Sequence, residues 1–475
     1  MIVIELEIAG TKVRALELSG RTALSELFRF RVRATIGGDA PAPVDMLGAT
    51  FKLTLGDPFE QTLVARGVVT EVERVAAKEG GTYVFTLEPA VAPLTIGRDS
   101  RVFQDMSVVD IVKKVLETAG IEASTTRWSV TGDYPKHVYR TQHREHDWAF
   151  VTRLLSEEGI YFWFDFTDDE TVLVFADDST QAPPIAGDQV MPVHDDAEMH
   201  STRDSVIRVG LRGAIAPEAV RLTDYNFDKP RLALDSLAGS GAHEIYDYPG
   251  RFEVPADGDR LARVRLESLR ARTLVAFGES GSMRLRPGLS FELSDHVSTA
   301  VDGDYVVDAI DYEASQHIET RWSAIPLATP FRAPRIEATS GAGGFQTGVV
   351  VGAPGEEIHP DKSGRVRVQF YWDREGKNDD AASTWMRVGQ FALGGSMILP
   401  RIGWEVLVEH HEGDIDAPVV LTHLYDGQFP VPYALPANKT RTAFQTATTP
   451  GGGSANEIRF EDKKGSEEMF VNACG

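Results

Sequence analysis

An alternating stretch, GRVRVQFY at residues 364–371, decides the fold class of this sequence. Val366, Val368 and Phe370 stand at every second position, and such residues share one face of a β-strand. Four further apolar stretches surround it, at 348–352, 384–388, 404–409 and 418–421. Five short strands in so little chain predict a small closed barrel such as the OB-fold.

The first hundred residues carry the same kind of pattern. FRFRVRA at 28–34 alternates strictly, and FKLTL at 51–55 and YVFTL at 83–87 repeat the alternation between turn residues. Strands dominate again from about 190 to 330. The first hundred residues are therefore predicted to form a small antiparallel barrel or sandwich. The chain is predicted to be mainly β, with two β-barrel subdomains and helical inserts in 1–336.

The predicted helices follow from a change of period. Ser107 begins a capping-box-like pair, apolar residues follow at helical spacing, and Gly120 is expected to end the helix. A second helix is predicted over 147–158, with Asp147 as its cap and Gly159 as its stop. A further amphipathic stretch lies near 259–272.

These patterns divide the chain into four predicted parts. They are a strand-rich region at 1–336, a Gly/Ala/Ser linker at 337–345, the five-stranded barrel at 346–435 and a terminal segment at 436–475. The terminal segment opens with a Thr-, Gly- and Ala-rich stretch at 440–454, whose three glycines are predicted to be linker. Two short strands follow it, NEIRFE at 456–461 and EEMFVNA at 467–473.

The two terminal strands carry apolar residues that they cannot bury by themselves. These residues are Ile458, Phe460, Met469 and Val471. An isolated two-stranded hairpin is at best marginally stable in water. We therefore predict that these side chains are contacts between copies of the chain, closing around a shared axis.

Composition excludes several classes of protein. The net charge of −23 repels phosphate, and residues 346–430 hold 7 Lys/Arg against 13 Asp/Glu, so nucleic-acid binding is disfavoured. Cys474 is the one cysteine, which excludes an internal disulfide or a cysteine metal cage. No apolar run is long enough to span a membrane, and the N-terminus lacks a basic region, so no signal peptide is predicted and the protein is expected to start in the cytoplasm.

Candidate catalytic and metal-binding patterns fail on their spacing. His143 and His146 are three apart, whereas a helical zinc motif places its histidines four apart. His410 and His411 are adjacent, so on a strand they point to opposite faces. GESGS at 278–282 lacks the final glycine of a nucleophile elbow. We predict no catalytic residue, no cofactor and no metal, and hence no enzyme.

The face formed by Arg29, Arg31 and Arg33 is the best candidate for a surface that reads charge. In so acidic a protein, a solvated strand face or a contact between subunits is the favoured explanation. The face of the 346–435 barrel formed by Arg365, Arg367 and Gln369 lacks interleaved aromatic residues, which base stacking requires. The barrel is accordingly predicted to be a rigid collar without a ligand groove.

Five stretches together resemble the VgrG family of type VI secretion spike proteins. They are RVFQDMSVVDI at 101–111, YRTQHREHDWAFVTRLLSEEGI at 139–160, DKSGRVRV at 361–368, LPRIGWEVLV at 399–408 and NEIRFEDKKG at 456–465. They occur in the family's order and cover nearly the whole chain. His143, His146 and Trp404 depart from the family's usual residues, without changing the assignment.

The resemblance implies a contractile-phage tail hub fused to the OB domain and needle of a phage spike. Three copies would form a hub on a hexameric, Hcp-like tube, with baseplate components around it. A trimeric β-helix needle, a PAAR-type tip, and effector and adaptor proteins are also implied. The resemblance also implies that the protein is assembled in the cytoplasm, pierces the target envelope and is secreted with its cargo. It would contact a membrane only by piercing it.

The phage spike carries a lysozyme between its OB domain and needle, and the interval from Pro418 to Asn456 is too short for one. The needle itself is expected to continue beyond Gly475. The nearest rival function is the hub of a phage tail or of an extracellular contractile particle. A rival of another class is an OB-fold protein that binds nucleic acid or glycan.

Overall fold

The computed structural model describes residues 3–37, 41–56, 61–76, 81–194, 205–294, 299–337, 344–392 and 395–474. The chain folds into two compact units. The first comprises Met1–Arg98, Ser107–Lys136 and His146–Ala338, and the second Asp99–Met106, His137–Glu145 and Thr339–Gly475. Most of the predicted linker at 337–345 lies outside the described residues.

The first unit begins with a six-stranded barrel. Its strands are β1 (Val3–Ile8), β2 (Thr11–Ala23), β3 (Arg29–Ile36), β4 (Thr50–Gly56), β5 (Thr62–Ala76) and β6 (Gly81–Glu88). They pair in the order β1-β4-β5-β6-β3-β2, and β2 also pairs with β1, which closes the ring. The alternation predicted for β3 is confirmed, because Phe30, Val32 and Ala34 are buried.

A helical insert follows the barrel. Its elements are β7 (Arg98–Phe103), α1 (Val108–Thr118), β8 (Thr126–Ser129), β9 (Arg140–His146), α2 (Asp147–Glu158), β10 (Tyr161–Phe166) and β11 (Thr171–Ala176). The Ser107 hydroxyl accepts the N–H of Asp110 at 3.2 Å, which confirms the predicted cap of α1. The cap predicted for α2 is wrong, since Asp147 is already the first helical residue. Gly159 ends α2 as predicted, with φ of 76°.

A second six-stranded barrel shares an edge with the first. Its strands are β12 (Val190–His194), β13 (Val206–Gly213), β17 (Leu274–Ser280), β18 (Ser290–Ser294), β19 (Gly303–Ala314) and β20 (Ile318–Pro326). The order is β19-β18-β12-β13-β17-β20, and β20 pairs back with β19. β19 also pairs with β2, so the two barrels form one continuous sheet. The two barrels with helical inserts expected from the sequence are both present.

Between β13 and β17 the chain forms a small α/β layer. It contains β14 (Ala219–Asp224), β15 (Leu234–Gly239), β16 (Glu244–Asp247) and helix α3 (Pro255–Arg270). β14 is the central strand and pairs with both neighbours. α3 packs on the sheet through a core that includes Val220, Leu222, Phe252 and Leu266.

The second unit is built around a closed five-stranded barrel. Its strands are β21 (Gln346–Val351), β22 (Val366–Phe370), β23 (Trp385–Val388), β24 (Glu405–His410) and β25 (Pro418–Leu424), paired in the order β21-β22-β23-β25-β24. The core is formed by Val350, Val366, Val368, Phe370, Met386, Val406, Val408 and Val420. The five strands were predicted from short apolar stretches, and the inward-facing residues of β22 from alternation.

Two segments from early in the chain belong to this second unit. β7 and β9 pair with each other, and Arg140 on β9 forms a buried ion pair of 2.9 Å with Asp416. The same carboxylate accepts the N–H of Thr141 at 2.7 Å. These segments lie inside the region 1–336 proposed from the sequence, and the structure groups them with the barrel. The four boundaries drawn from the sequence stay predictions.

The chain ends in a three-stranded antiparallel sheet. Its strands are β26 (Arg441–Gln445), β27 (Glu457–Glu461) and β28 (Glu468–Asn472), with β27 in the centre. The two later strands were predicted. β26 was missed, because it lies in the Thr-, Gly- and Ala-rich stretch that was interpreted as linker. No helix among the described residues is both long and apolar enough to cross a bilayer.

Candidate functional site

The terminal sheet carries a row of apolar side chains on one face. Phe444, Ile458 and Val471 stand opposite one another across the three strands, and Thr442, Phe460 and Met469 form the next row. Directly paired residues, and residues two apart on a strand, share a face. The face is uncovered: the exposed fractions are 58 % for Phe444, 47 % for Ile458, 37 % for Phe460, 71 % for Met469 and 66 % for Val471.

This apolar face contains all four residues predicted from the sequence. It adds Phe444, which the sequence analysis missed together with β26. RTAFQ at 441–445 holds one large apolar residue and no apolar alternation, so local pattern gave no signal for this strand. An exposed apolar row of this kind marks an interaction surface in a soluble protein. We call these five residues the terminal apolar face.

The opposite face of the terminal sheet is already packed. Arg459 donates to the Tyr433 hydroxyl at 3.1 Å and to Glu468 at 2.8 Å, and its guanidinium lies 4.3 Å from the centre of the Phe470 ring. These hydrogen bonds raise the pKa of Arg459 above its ordinary value. An assignment of Arg459 to the solvent-exposed face, which alternation alone suggests, is therefore wrong, and the two faces of the sheet are chemically distinct.

The glycine-rich loop between β26 and β27 is held rather than free. Arg401 donates to the Thr449 hydroxyl at 2.8 Å and pairs with Glu357, which accepts the N–H of Gly451 at 2.6 Å. The bond from Gly451, with help from Arg401, lowers the pKa of Glu357. Residues 451–453 all adopt positive φ, which suits glycine in a tight turn. The loop, whose glycines the sequence predicted to be linker, is thus a neck held by Glu357 and Arg401.

The histidine pairs do not form a metal site. Among the described residues no group of three or more His, Cys, Asp or Glu side chains is arranged to hold an ion. The His143 ring lies 5.2 Å from Trp372, and His146 contacts the carbonyl oxygen of Gly97 at 2.9 Å. His410 is buried beside the Phe370 ring, and burial, together with His143, lowers its pKa to about 4.

The serine hydroxyls of the stretch 278–282 form structural hydrogen bonds. Ser280 donates to the carbonyl oxygen of Ser205 at 2.8 Å and accepts the N–H of Ser282 at 3.0 Å. The Ser282 hydroxyl donates to Gln61 at 3.2 Å. Both hydroxyls therefore stabilise a turn, and neither of these bonds joins a serine to a histidine base as nucleophilic catalysis requires.

The arginine face of β3 is neutralised by acidic residues of three other strands. Arg29 pairs with Glu88 at 2.8 Å, Arg31 with Glu73 at 3.7 Å, and Arg33 with Glu17 at 2.8 Å. The partners of Arg29 and Arg33 lie on the adjacent strands β6 and β2, and the partner of Arg31 lies on β5, beyond β6, so the face is a ladder of alternating charge. A ladder of this kind is a solvated strand face and offers no basic surface to an anion.

The face of the five-stranded barrel formed by Arg365, Arg367 and Gln369 is covered by the barrel's own loops. Gln369 accepts the N–H of Asn378 at 2.6 Å, and Arg367 lies 4.8 Å from the centre of the Trp385 ring. Arg365 pairs with Asp361 at 2.7 Å. These contacts hold all three side chains against other residues of the second unit.

Three family descriptions match successive parts of the chain. Residues 21–318 match the phage tail baseplate hub (GPD), and residues 346–425 match the type VI secretion system/phage-baseplate injector OB domain. Residues 442–474, which contain the terminal apolar face, match the bacteriophage T4 gp5 C-terminal trimerisation domain.

Individual proteins agree with these matches. The spike protein VgrG4b of the Pseudomonas aeruginosa type VI secretion system is 34 % identical over 97 % of this chain, which spans 60 % of that relative. VgrG1a of the same organism is 31 % identical over 96 % of this chain and 74 % of the relative. The fold is similar to that of the E. coli c3393 protein, a type VI secretion component, with a TM-score of 0.68 at 23 % identity over 88 % of this chain and 99 % of the other.

Proposed function

The chain belongs to the VgrG family of type VI secretion spike proteins, and from this premise we propose that it forms the trimeric hub and spike of such a machine. In this proposal the two-barrel unit is the hub and the five-stranded barrel is a rigid collar. The terminal sheet is the base of a needle. Residues 1–336, 346–435 and 436–475 are assigned to these parts.

The observation that carries the proposal is the terminal apolar face. Burial of one large apolar side chain contributes about 1.5–3 kcal/mol, and five such side chains are exposed in a single chain. Three copies arranged around an axis would cover each other's faces, so that Ile458, Phe460, Met469 and Val471 become contacts between copies. The match of this segment to a trimerisation domain supports that arrangement.

Native mass measurement tests the proposed trimer. We expect a trimer at micromolar concentration, and Phe460→Asp should raise its dissociation concentration by at least about tenfold, because three buried rings become carboxylates. Ser466→Asp is the matched control, since it adds the same charge at an exposed turn.

Three copies carry 3 × −23 = −69 charges, so added salt should tighten the trimer.

Two results would contradict the trimer. One is a monomer at every salt concentration. The other is a Phe460→Asp variant that dissociates at the same concentration as the parent chain.

The remaining partners follow from the family and not from a contact in this chain. We propose that the hub sits on a hexameric, Hcp-like tube among baseplate components, and that a PAAR-type tip and effector or adaptor proteins bind the needle side. Assembly would occur in the cytoplasm, followed by piercing of the target envelope and secretion. Pull-down with the tube protein of the same apparatus tests the first contact, and recovery of the spike from the medium tests secretion.

We propose further that these 475 residues have no catalytic activity of their own and need no cofactor or metal. Relatives named as spike proteins and the structural use of the candidate serines support this. Purified protein should not hydrolyse peptidoglycan, lipid, nucleic acid or NAD. Turnover that disappears on substitution of one residue of this chain would overturn the proposal.

The rival function as a phage-tail hub has the same mechanics. The hub description that matches residues 21–318 is itself a phage one. Identity of 31–34 % to type VI spike proteins over nearly the whole chain favours the secretion machine.

A further inference from the structure

The sheet β15-β14-β16 has a free edge beside helix α3. β14 pairs with one side of β15 over all six positions from Leu234 to Gly239. Within the described part of the chain, no backbone hydrogen bond joins the other side of β15 to any strand or loop. Such an edge presents unpaired N–H and C=O groups, which another extended segment can take up.

A cavity of about 590 Å³ lies along this free edge. Three consecutive residues of β15 line it, namely Leu237, Ala238 and Gly239. They are the last three residues of β15, and successive side chains of a strand point to opposite faces, so a cavity that touches all three reaches the strand's backbone at its C-terminal end. β14 occupies one edge of β15, and the cavity therefore occupies the other.

Helix α3 forms the facing wall of the cavity. Leu266 contributes apolar surface, and Ala328 and Pro330 line the cavity from the segment after β20. Asp259 and Arg263, one helical turn apart, are exposed on the same wall, and neither forms an ion pair with a described residue. The groove thus combines a free strand edge, apolar surface and two opposite charges that form no ion pair within the described residues.

This geometry is suited to a single extended strand. A groove between a sheet edge and a helix is one in which peptides add to a sheet, with main-chain bonds for affinity and side chains for specificity. Its volume lies within the usual range for a ligand site, about 300–1,000 Å³. A second folded domain would instead need a face of about 800 Å².

We propose that β15 and α3 form a docking groove for an extended segment of a partner protein, which adds to β15 as a fourth strand. The segment would alternate apolar and polar residues, with an acidic residue facing Arg263 and a basic residue facing Asp259. Positions two apart on a strand are separated by nearly the same distance as positions four apart on a helix, so both pairs form at once. This groove uses none of the residues of the terminal apolar face.

The test uses the full chain and a fluorescein-labelled peptide, Val-Lys-Val-Glu-Val-Thr, in a fluorescence anisotropy titration up to millimolar concentration. We expect saturable binding. The same peptide with alternate backbone nitrogens methylated should not bind, because strand addition needs those N–H groups. Arg263→Glu should weaken binding at least about tenfold, whereas Arg231→Glu, an equal charge reversal in an exposed loop, should leave it unchanged.

Three results would overturn the proposal. The first is no saturable binding of the peptide. The second is equal binding of the methylated peptide, which would indicate apolar adhesion without strand addition. The third is binding that Arg263→Glu and Arg231→Glu affect equally. If hydrogen exchange shows β15 protected only when the chain oligomerises, and no peptide binds, the groove is instead an interface between copies.

Discussion

The five-stranded barrel and the terminal three-stranded sheet start from the same pattern and end differently. In β22, Val366, Val368 and Phe370 alternate with polar residues and are all buried. In β27, Ile458 and Phe460 alternate in the same way and stay exposed. The barrel closes on itself, so that every strand has two neighbours and every inward side chain meets another. The terminal sheet does not close.

The difference teaches that alternation specifies a face but not what covers it. A closed ring of strands buries its apolar face within one chain, whereas three short strands leave theirs open. The remaining cover has to come from outside the sheet. For the barrel, the stability of the fold is a property of one chain. For the terminal sheet, we expect it to depend on the concentration of copies.

The largest effect should separate the two regions directly. Phe370→Ala removes a buried ring and should destabilise the barrel by about 3–5 kcal/mol. Phe444→Ala should cost less than about 1 kcal/mol in the dissociated chain, because the Phe444 ring is already mostly exposed. Hydrogen exchange of peptides that cover β22 and β26 measures both. Comparable losses would mean that the terminal sheet has a core of its own.

A second contrast concerns acid. The folded-state pKa of His410 is lowered to about 4 by burial and by His143, with Asp416 acting in the opposite direction. The unfolded chain takes up this proton near pH 6.5, so the stability of the barrel is complete above that value and falls between pH 6.5 and 4. The loss is roughly 3 kcal/mol, at about 1.4 kcal/mol for each pKa unit.

Over most of the interval from pH 6.5 to pH 4, the stability of the terminal sheet should not change. Its perturbed groups include Glu461 and Glu467, whose pKa values are lowered. Their contribution to the stability of the sheet is therefore complete above pH 4.5 and is lost only at lower pH. Hydrogen exchange at pH 7 and pH 5, corrected for the intrinsic rate, should show loosening in the barrel alone. His410→Leu should reduce that loosening. Equal loosening of both regions would contradict the assignment to His410.

A smaller effect is expected at the neck that leads from one region to the other. Glu357→Gln weakens the charge-assisted bond to the Gly451 N–H and the pair with Arg401. Hydrogen exchange of residues 446–453 should accelerate by up to about tenfold, with the barrel unchanged. Glu356→Gln is the matched control, since its exposed side chain removes the same charge. Equal exchange in the two variants would show that the glycine loop is not held by Glu357.

The smallest effect is expected on the charge ladder outside the first barrel. Arg33→Gln breaks the exposed pair with Glu17 and should cost about 0.2–1 kcal/mol. The difference from the parent chain should vanish at high salt, because exposed pairs are screened. Urea unfolding at low and high salt measures it. A larger cost that persists at high salt would assign Arg33 a contact beyond the ladder.

Local patterns predicted much of the fold. Strict alternation located β3 and β22, and helical spacing with Ser107 and Gly159 located α1 and α2. These signals are reliable because the periods of strand and helix act over a few residues. The four predicted residues of the terminal apolar face were found in the same way.

The errors came where distant segments meet. Alternation alone suggests that Arg459 lies on the exposed face, yet Tyr433 and Phe470 cover it. β26 was missed, because its strand character depends on pairing with β27 across a glycine-rich loop. The grouping of β7 and β9 with the barrel depends on the pair between Arg140 and Asp416. No short window of sequence contains both partners of these contacts.

The amino-acid sequence by itself determined the type of those elements that carry a clear local period, the apolar face of such strands and the family resemblance. Tertiary structure alone decided which of those faces are covered. The physical reason is that backbone period and capping are local properties, whereas burial depends on ring closure and on contacts between residues far apart in the chain. The closed barrels cover their apolar faces within one molecule. The terminal sheet and the free edge of β15 are left to be covered by a second molecule.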